Sequence, residues 1–247
     1  HTFAGKITSC LVNPRACHEP ILLPQPLPSA AQKERIAVVA AGPAGLAFAT
    51  EAAQRGLEVT LLDAGHEIGG QFNIAKQIPG KEEFYETLRY FGERLQQTGV
   101  TVKLGQHVAA DDLVQAGFKH VVLATGISPR LPQIEGIDHP KVLGYLDVLR
   151  DKKPVGQTVA VIGAGGIGFD VSEYLLHEGE SASLNPAQFF AEWVVDTTGS
   201  KRGGVQPGQV PAAPRQFYLL QRTSSKEGEG LANTPGWIHR TGLKNPG

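Results

Sequence analysis

The first 34 residues show no repeating apolar period, and Pro14, Pro20, Pro24, Pro26 and Pro28 rule out a continuous helix there. From Glu34 the texture changes. A short apolar run at 36–39 ends at Gly42-Pro43, and 44–55 is alanine-rich and helix-favouring. Gly56 is placed to end that helix, and 57–63 alternates before turning apolar, as a buried parallel strand does. These features predict one strand–helix–strand unit. A second helix is predicted over 82–99, because Phe84, Leu88, Phe91 and Leu95 recur on one helical face before Gly99. Short strands are expected at 100–104 and 121–124, with loops at 136–140 and 152–156.

About 122 residues after the first strand the opening pattern returns. Residues 158–162 read as a strand, 163–168 as a glycine-rich turn and 169–177 as a helix. Residues 179–214 lack periodicity and read as an insertion before a strand at 217–221. Repetition of the unit predicts an α/β fold of two Rossmann-like, doubly wound parallel-sheet domains. The expected division is an irregular segment 1–34, a first nucleotide domain 35–156 and a second, incomplete one 157–247.

Charge and composition narrow the function. With 24 acidic and 23 basic side chains among 247 residues, net charge −1, nothing favours nucleic acid or an anionic surface. The longest charge-free apolar stretch, 36–50, is too short to span a bilayer. Two cysteines make no disulfide framework, so a cytoplasmic location is expected. The absence of methionine, the start at His1 and the loop-like end at Lys244-Asn245-Pro246-Gly247 suggest an internal piece of something longer.

The chemistry lies in the two turns. The first, Ala40-Ala41-Gly42-Pro43-Ala44-Gly45, keeps two of the three glycines of a dinucleotide-binding turn. Alanine at position 40 is a modest steric objection if its φ is negative and a serious one if positive. Asp63 follows Gly42 by 21 residues, where an acid accepts ribose hydroxyls and repels a 2′-phosphate. That predicts FAD or NAD at the first site. The second turn holds all three glycines, Gly163, Gly165 and Gly168. Arg222 and then Lys226 stand where the first unit has its acid, which favours NADPH over NADH unless Arg222 is merely a solvated cation. By spacing alone Cys10 and Cys17 fit no two-ligand metal motif and read as idle thiols. No catalytic acid–base pair stands out.

Five segments carry a resemblance: 8–14 (TSCLVNP), 68–76 (IGGQFNIAK), 136–142 (GIDHPKV), 165–170 (GGIGFD) and 236–240 (GWIHR). Together they resemble the bacterial NADPH-dependent 2,4-dienoyl-CoA reductases, in the wider group of trimethylamine dehydrogenase and the enoate reductases. The resemblance implies a preceding barrel with FMN, a 4Fe–4S cluster, and an FAD domain into which an NADPH domain is inserted. Electrons would then run from NADPH through FAD, cluster and FMN to an unsaturated fatty acyl-CoA. It further implies that Ala44, Asp63, Gln71, Lys81 and Val108 contact FAD, and that Arg222 and Thr223 face the 2′-phosphate. By the same resemblance Trp237 is a substrate-end residue, or an aromatic packed under a loop, and Cys10 is the last cluster ligand. Thr223 replaces a family lysine, and Ala40 a glycine. The alternatives are a degenerate nucleotide-binding remnant, or another flavoprotein reductase such as a glutamate-synthase-like small subunit.

Overall fold

The computed structural model describes residues 5–10, 13, 15–29, 34–207, 212–229, 231 and 233–244, so the expected terminal loop at 245–247 lies outside the described residues. The chain forms two compact units, His1–Asn73 with Phe84–Leu131, and Ile74–Glu83 with Pro132–Gly247. Residues 132–156, grouped with the first domain on sequence, therefore pack with the second unit.

The first unit is a four-stranded sheet in the order β3-β2-β1-β4, where β1 is Arg35–Val39, β2 Glu58–Leu62, β3 Thr101–Lys103 and β4 His120–Leu123. Every pairing is parallel, with Val38 opposite Leu61 and Val122. Helices cover both faces, which is why β1 is almost wholly apolar. Ile36 and Val38 join Leu46 and Ala49 of α1 (Pro43–Gln54) and Phe91 and Leu95 of α3 (Glu83–Thr98). Ala37 and Leu62 pack on the other side against Leu113 of α4 (Ala110–Gln115). Chain order reverses between β1 and β4. The crevice beyond the carboxyl end of β1 is thus the place where such sheets bind ligands.

Sequence and structure agree closely on α1 and α3. Pro43 takes the first turn of α1, where its missing amide costs nothing, and Gly99 leaves α3 at φ +73°. A short helix, α2 (Phe72–Ala75), precedes α3, and the ring of its Phe72 stacks on Phe84 at 4.4 Å.

In the second unit β5 (Thr158–Ile162) pairs in parallel with β6 (Gln216–Leu220). Helix α6 (Gly166–Leu176) covers one face through Val171 and Leu175, which meet Ile78, Val148 and Leu149, the last two from α5 (Tyr145–Leu149). It starts three residues before the expected 169, since the glycines of the turn already take helical backbone. The 179–214 insertion is not wholly irregular. Asn185 accepts from the Gln188 amide at 3.2 Å and so caps α7 (Pro186–Glu192), and a bridge joins Val195 to Val205. Helix α8 (Asn233–Lys244) contains the whole 236–240 segment.

Candidate nucleotide sites

Each strand-to-helix turn is built the same way. The amide of Ala40 donates to Leu62 O and that of Gly163 to Leu220 O, both at 2.7 Å. Ala40 has φ +87° and Gly163 φ +119°. The six-residue turn then brings its last glycine onto its first residue: a Cβ on Gly45 would lie 1.9 Å from Ala40 O, and one on Gly168 1.8 Å from Gly163 O. Those glycines exist for helix–turn packing. The middle ones do not, because a Cβ on Gly42 or Gly165 would meet nothing within 4 Å. Gly42 and Gly165 are the N-caps of α1 and α6, and neither helix has a capping side chain. First-turn amides without a cap, a positive dipole end and open space at the cap residue suit an anionic pyrophosphate. By that test the residues fit a dinucleotide at both turns, with the Ala40 methyl group as the one misfit.

Asp63 closes the first site. Its Oδ2 accepts from the Ala41 amide and its Oδ1 from the Gly65 amide, each at 2.6 Å. Both oxygens keep further lone-pair sites for hydroxyl donors. The loop that follows folds back over the turn: Gly69 N donates to Ala41 O at 2.8 Å, and a Cβ on Gly70 would sit 3.1 Å from Gly42 Cα. Exposed Gln71 comes next in that loop, and Ala44, also exposed, occupies the first turn of α1. Val108 packs against the Ala37–Leu62–Leu113 cluster. Lys81 belongs to the second unit, where its Nζ is 2.6 Å from Asp170 of α6. The Ala41, Gly65 and Gly70 backbone contacts have no signature in the sequence beyond the glycine pair at 69–70.

In the second unit Arg222, Thr223 and Lys226 all lie exposed on the loop after β6. Gln221 Nε2 donates to Thr223 O at 3.1 Å and to Ser225 O, and the hydroxyls of Thr223 and Ser225 are 3.0 Å apart. Trp237 is 51% exposed on α8. Its helix neighbour His239 has its Nδ1 2.5 Å from Glu173 Oε1 on α6, a pair 66 residues apart that no motif or spacing singles out. Burial pushes the Glu173 carboxyl above the usual carboxylate range, outweighing the hydrogen bond from His239.

Cys10 and Cys17 are both free and exposed. Among the described residues no three His, Cys, Asp or Glu side chains gather as a metal site. A 4Fe–4S cluster takes four thiolates, so the described residues do not fit one. Also among the described residues, no helix is long and apolar enough to cross a membrane.

A metal reductase of Desulforamulus reducens is 34% identical over 183 residues, covering 72% of this chain and 27% of its own length. A cinnamate reductase of Clostridium sporogenes is 33% identical over 177 residues, covering 71% of this chain and 26% of its own. The chain thus spans about a quarter of the length of these curated relatives. The solved structure of a 2-naphthoyl-CoA reductase complex superposes over 94% of this chain and 40% of its own with TM-score 0.67, at 24% identity, a likeness of fold. The model of the pyridine nucleotide-disulphide oxidoreductases matches residues 34–188, more than half of the sequence, and the chain belongs to that family.

Proposed function

We propose that the first unit binds FAD and the second NADPH, together forming the electron-input part of a reductase acting on an unsaturated fatty acyl-CoA, of the 2,4-dienoyl-CoA reductase type. The observation that carries the reading is the contrast between two like turns. The first ends beside the Asp63 carboxylate, and the second is followed by the exposed cations Arg222 and Lys226. A carboxylate accepts ribose hydroxyls and rejects a 2′-phosphate, whereas guanidinium and ammonium groups attract one. When bound, the cofactors supply hydride transfer between nicotinamide and flavin. The chain's own share is to hold the pyrophosphates at the open glycines, to orient the riboses and to select the nucleotide.

Ala44 and Gln71 belong beside the first turn in this reading, and Val108 joins them; Lys81, which the resemblance also gives to FAD, belongs to the second unit and is paired there with Asp170. Thr223 leaves Arg222 and Lys226 as the cations for the 2′-phosphate. Trp237 on α8 is the proposed substrate-end residue. Cys10 is the proposed cluster ligand of a larger assembly with FMN. A naphthoyl-CoA reductase among the structural neighbours supports an acyl thioester as the substrate class.

A second reading has its own observation. The left-handed backbone at Ala40 puts a methyl group where the second unit has only hydrogen, which favours a nucleotide-binding domain that has lost its flavin. Visible absorption of the chain after incubation with FAD and desalting separates the two. A retained flavin band that bleaches anaerobically with NADPH is expected. A folded but colourless protein would sink the proposal in favour of the remnant.

A further inference from the structure

We propose that α8 is a latch on the loop that reads the 2′-phosphate, closed by the Glu173–His239 pair, so that Glu173, His239 and Arg240 are positioning residues for the choice of NADPH over NADH. The inference rests on the assignment of Arg222 to the 2′-phosphate. Arg222 and Lys226 stand exposed on a loop whose own bonds, through Gln221 and the Thr223–Ser225 hydroxyls, are short-range. What fixes that loop to the unit comes from outside it.

Two elements hold it. Gly228, at φ +72°, lies so close to Phe169 of α6 that a Cβ would be 3.0 Å from the ring, and Phe169 is 1% exposed. From the other side α8 grips the same stretch: Arg240 Nη1 donates to Glu227 O at 2.7 Å, and a Cβ on Gly236 would lie 2.8 Å from Gly228 O. Helix α8 is in turn pinned to α6. His239 Nδ1 meets Glu173 Oε1 at 2.5 Å, and its ring sits 5.5 Å from that of Phe169. Both members of the pair keep under a quarter of their side-chain surface exposed. The other charges near Glu173, Lys81 and Asp170, are already paired with each other at 2.6 Å. His177 and Glu192 line the cavity beside the pair. A half-buried polar pair of this kind adds modest net stability, and its directional hydrogen bond sets how the two helices register against each other. Here the register fixed is that of α8, and through it the loop.

NADH makes no 2′-phosphate contact, so loosening the latch acts on one nucleotide and spares the other. The test is titration of the full chain with NADPH and with NADH, followed by nicotinamide fluorescence, for wild type, Arg222→Ala, His239→Ala, His239→Gln, Arg240→Ala and the Arg222→Ala/His239→Ala double variant. Wild type is expected to prefer NADPH, and Arg222→Ala to erase the preference. His239→Ala and Arg240→Ala should weaken NADPH about tenfold and leave NADH unchanged. Gln at 239 can still donate to Glu173 and should restore NADPH binding, and the double variant should be no worse than Arg222→Ala alone. Arg240→Ala removes a surface contact and keeps the test alive if His239→Ala does not fold. Equal losses for both nucleotides, additive losses in the double variant, or NADPH binding untouched in both latch variants would overturn the latch alone. A wild type without preference would overturn the Arg222 assignment and the latch with it.

Discussion

Asp63 Oδ2 accepts a hydrogen bond from the amide of Ala41 at 2.6 Å, joining the end of β2 to the turn that leaves β1. The bond ties the acid to the left-handed peptide it adjoins, and the partner oxygen holds Gly65 at the same distance. The acid and the turn are therefore tied into one piece, the arrangement on which the proposed ribose and pyrophosphate contacts depend. Asp63→Asn replaces a charged acceptor by an amide that can satisfy one of the two backbone donors and not both. A hydrogen bond to a charged group is worth about 1.5–3 kcal/mol. The expected outcome is a loss of FAD affinity of about tenfold to a hundredfold with a lowered melting temperature, measured by flavin retention and by thermal unfolding.

Ala40 offers the opposite change. At φ +87° an L-residue carries strain of about 1–2 kcal/mol that glycine avoids. Part of the gain is offset by the freedom glycine adds to the unfolded chain. Ala40→Gly is expected to raise stability by up to about 1 kcal/mol and to tighten FAD, since the methyl group leaves the turn. Denaturant unfolding and flavin titration check the two halves separately. Flavin that binds no better to the glycine variant would show that the methyl group is not in the cofactor's way.

How much could be read beforehand follows from where the information sits. Helix α3 was legible because the buried Phe91 and Leu95 share one face with the half-buried Phe84 and Leu88, and β1 because both its faces are covered. Helix α4 was not: six residues give one apolar anchor, Leu113, and its start depends on the Asp112 carboxylate accepting from the Ala109 amide at 2.8 Å. Helix α8 contains Pro235, Gly236 and Gly242 and has poor intrinsic propensity. It is held by tertiary contacts, His239 to Glu173 and Arg240 to Glu227, which no local pattern encodes. The places of the two glycine turns, of Asp63 just after β2 and of Arg222 just after β6 were readable from spacing. The sign of φ at Ala40 and the amides that Asp63 holds were not, since they depend on how β1 and β2 lie side by side.

Acid should open the 194–206 hairpin. Asp196 accepts from the Thr198 hydroxyl at 2.6 Å, from the Lys201 amide at 2.5 Å and from the Thr198 amide at 3.0 Å. The Thr198 hydroxyl, with the backbone amides after it, holds its carboxyl down to about 2. An unfolded aspartate titrates near about 3.9. Because the folded value is the lower one, the stabilisation is complete above about pH 4 and is lost as the pH falls toward about 2. Amide protection across 194–206, taken relative to the intrinsic exchange rate at each pH, is expected to fall over that window in the wild type. In Asp196→Asn the exchange should be faster at neutral pH and show no such step.

The two middle-and-last glycines of the first turn give a pair of substitutions with opposite signatures. A Cβ on Gly45 would stand 1.9 Å from Ala40 O, a backbone atom that cannot swing away, so Gly45→Ala must push α1 off β1. That helix contributes Leu46, Ala49 and Ala52 to the core. Overpacking of a buried contact costs about 1–3 kcal/mol, and a backbone clash this close belongs at the upper end or beyond. Gly42→Ala meets nothing within 4 Å and keeps an extended backbone at φ −75°, so the apoprotein should unfold within a few tenths of a kcal/mol of wild type. Its methyl group instead points into the space where the pyrophosphate would approach the first turn of α1. Flavin retention should therefore fall sharply in Gly42→Ala while its unfolding midpoint holds, whereas in Gly45→Ala the midpoint itself should drop. Undiminished flavin in Gly42→Ala would mean that the cofactor does not use this turn.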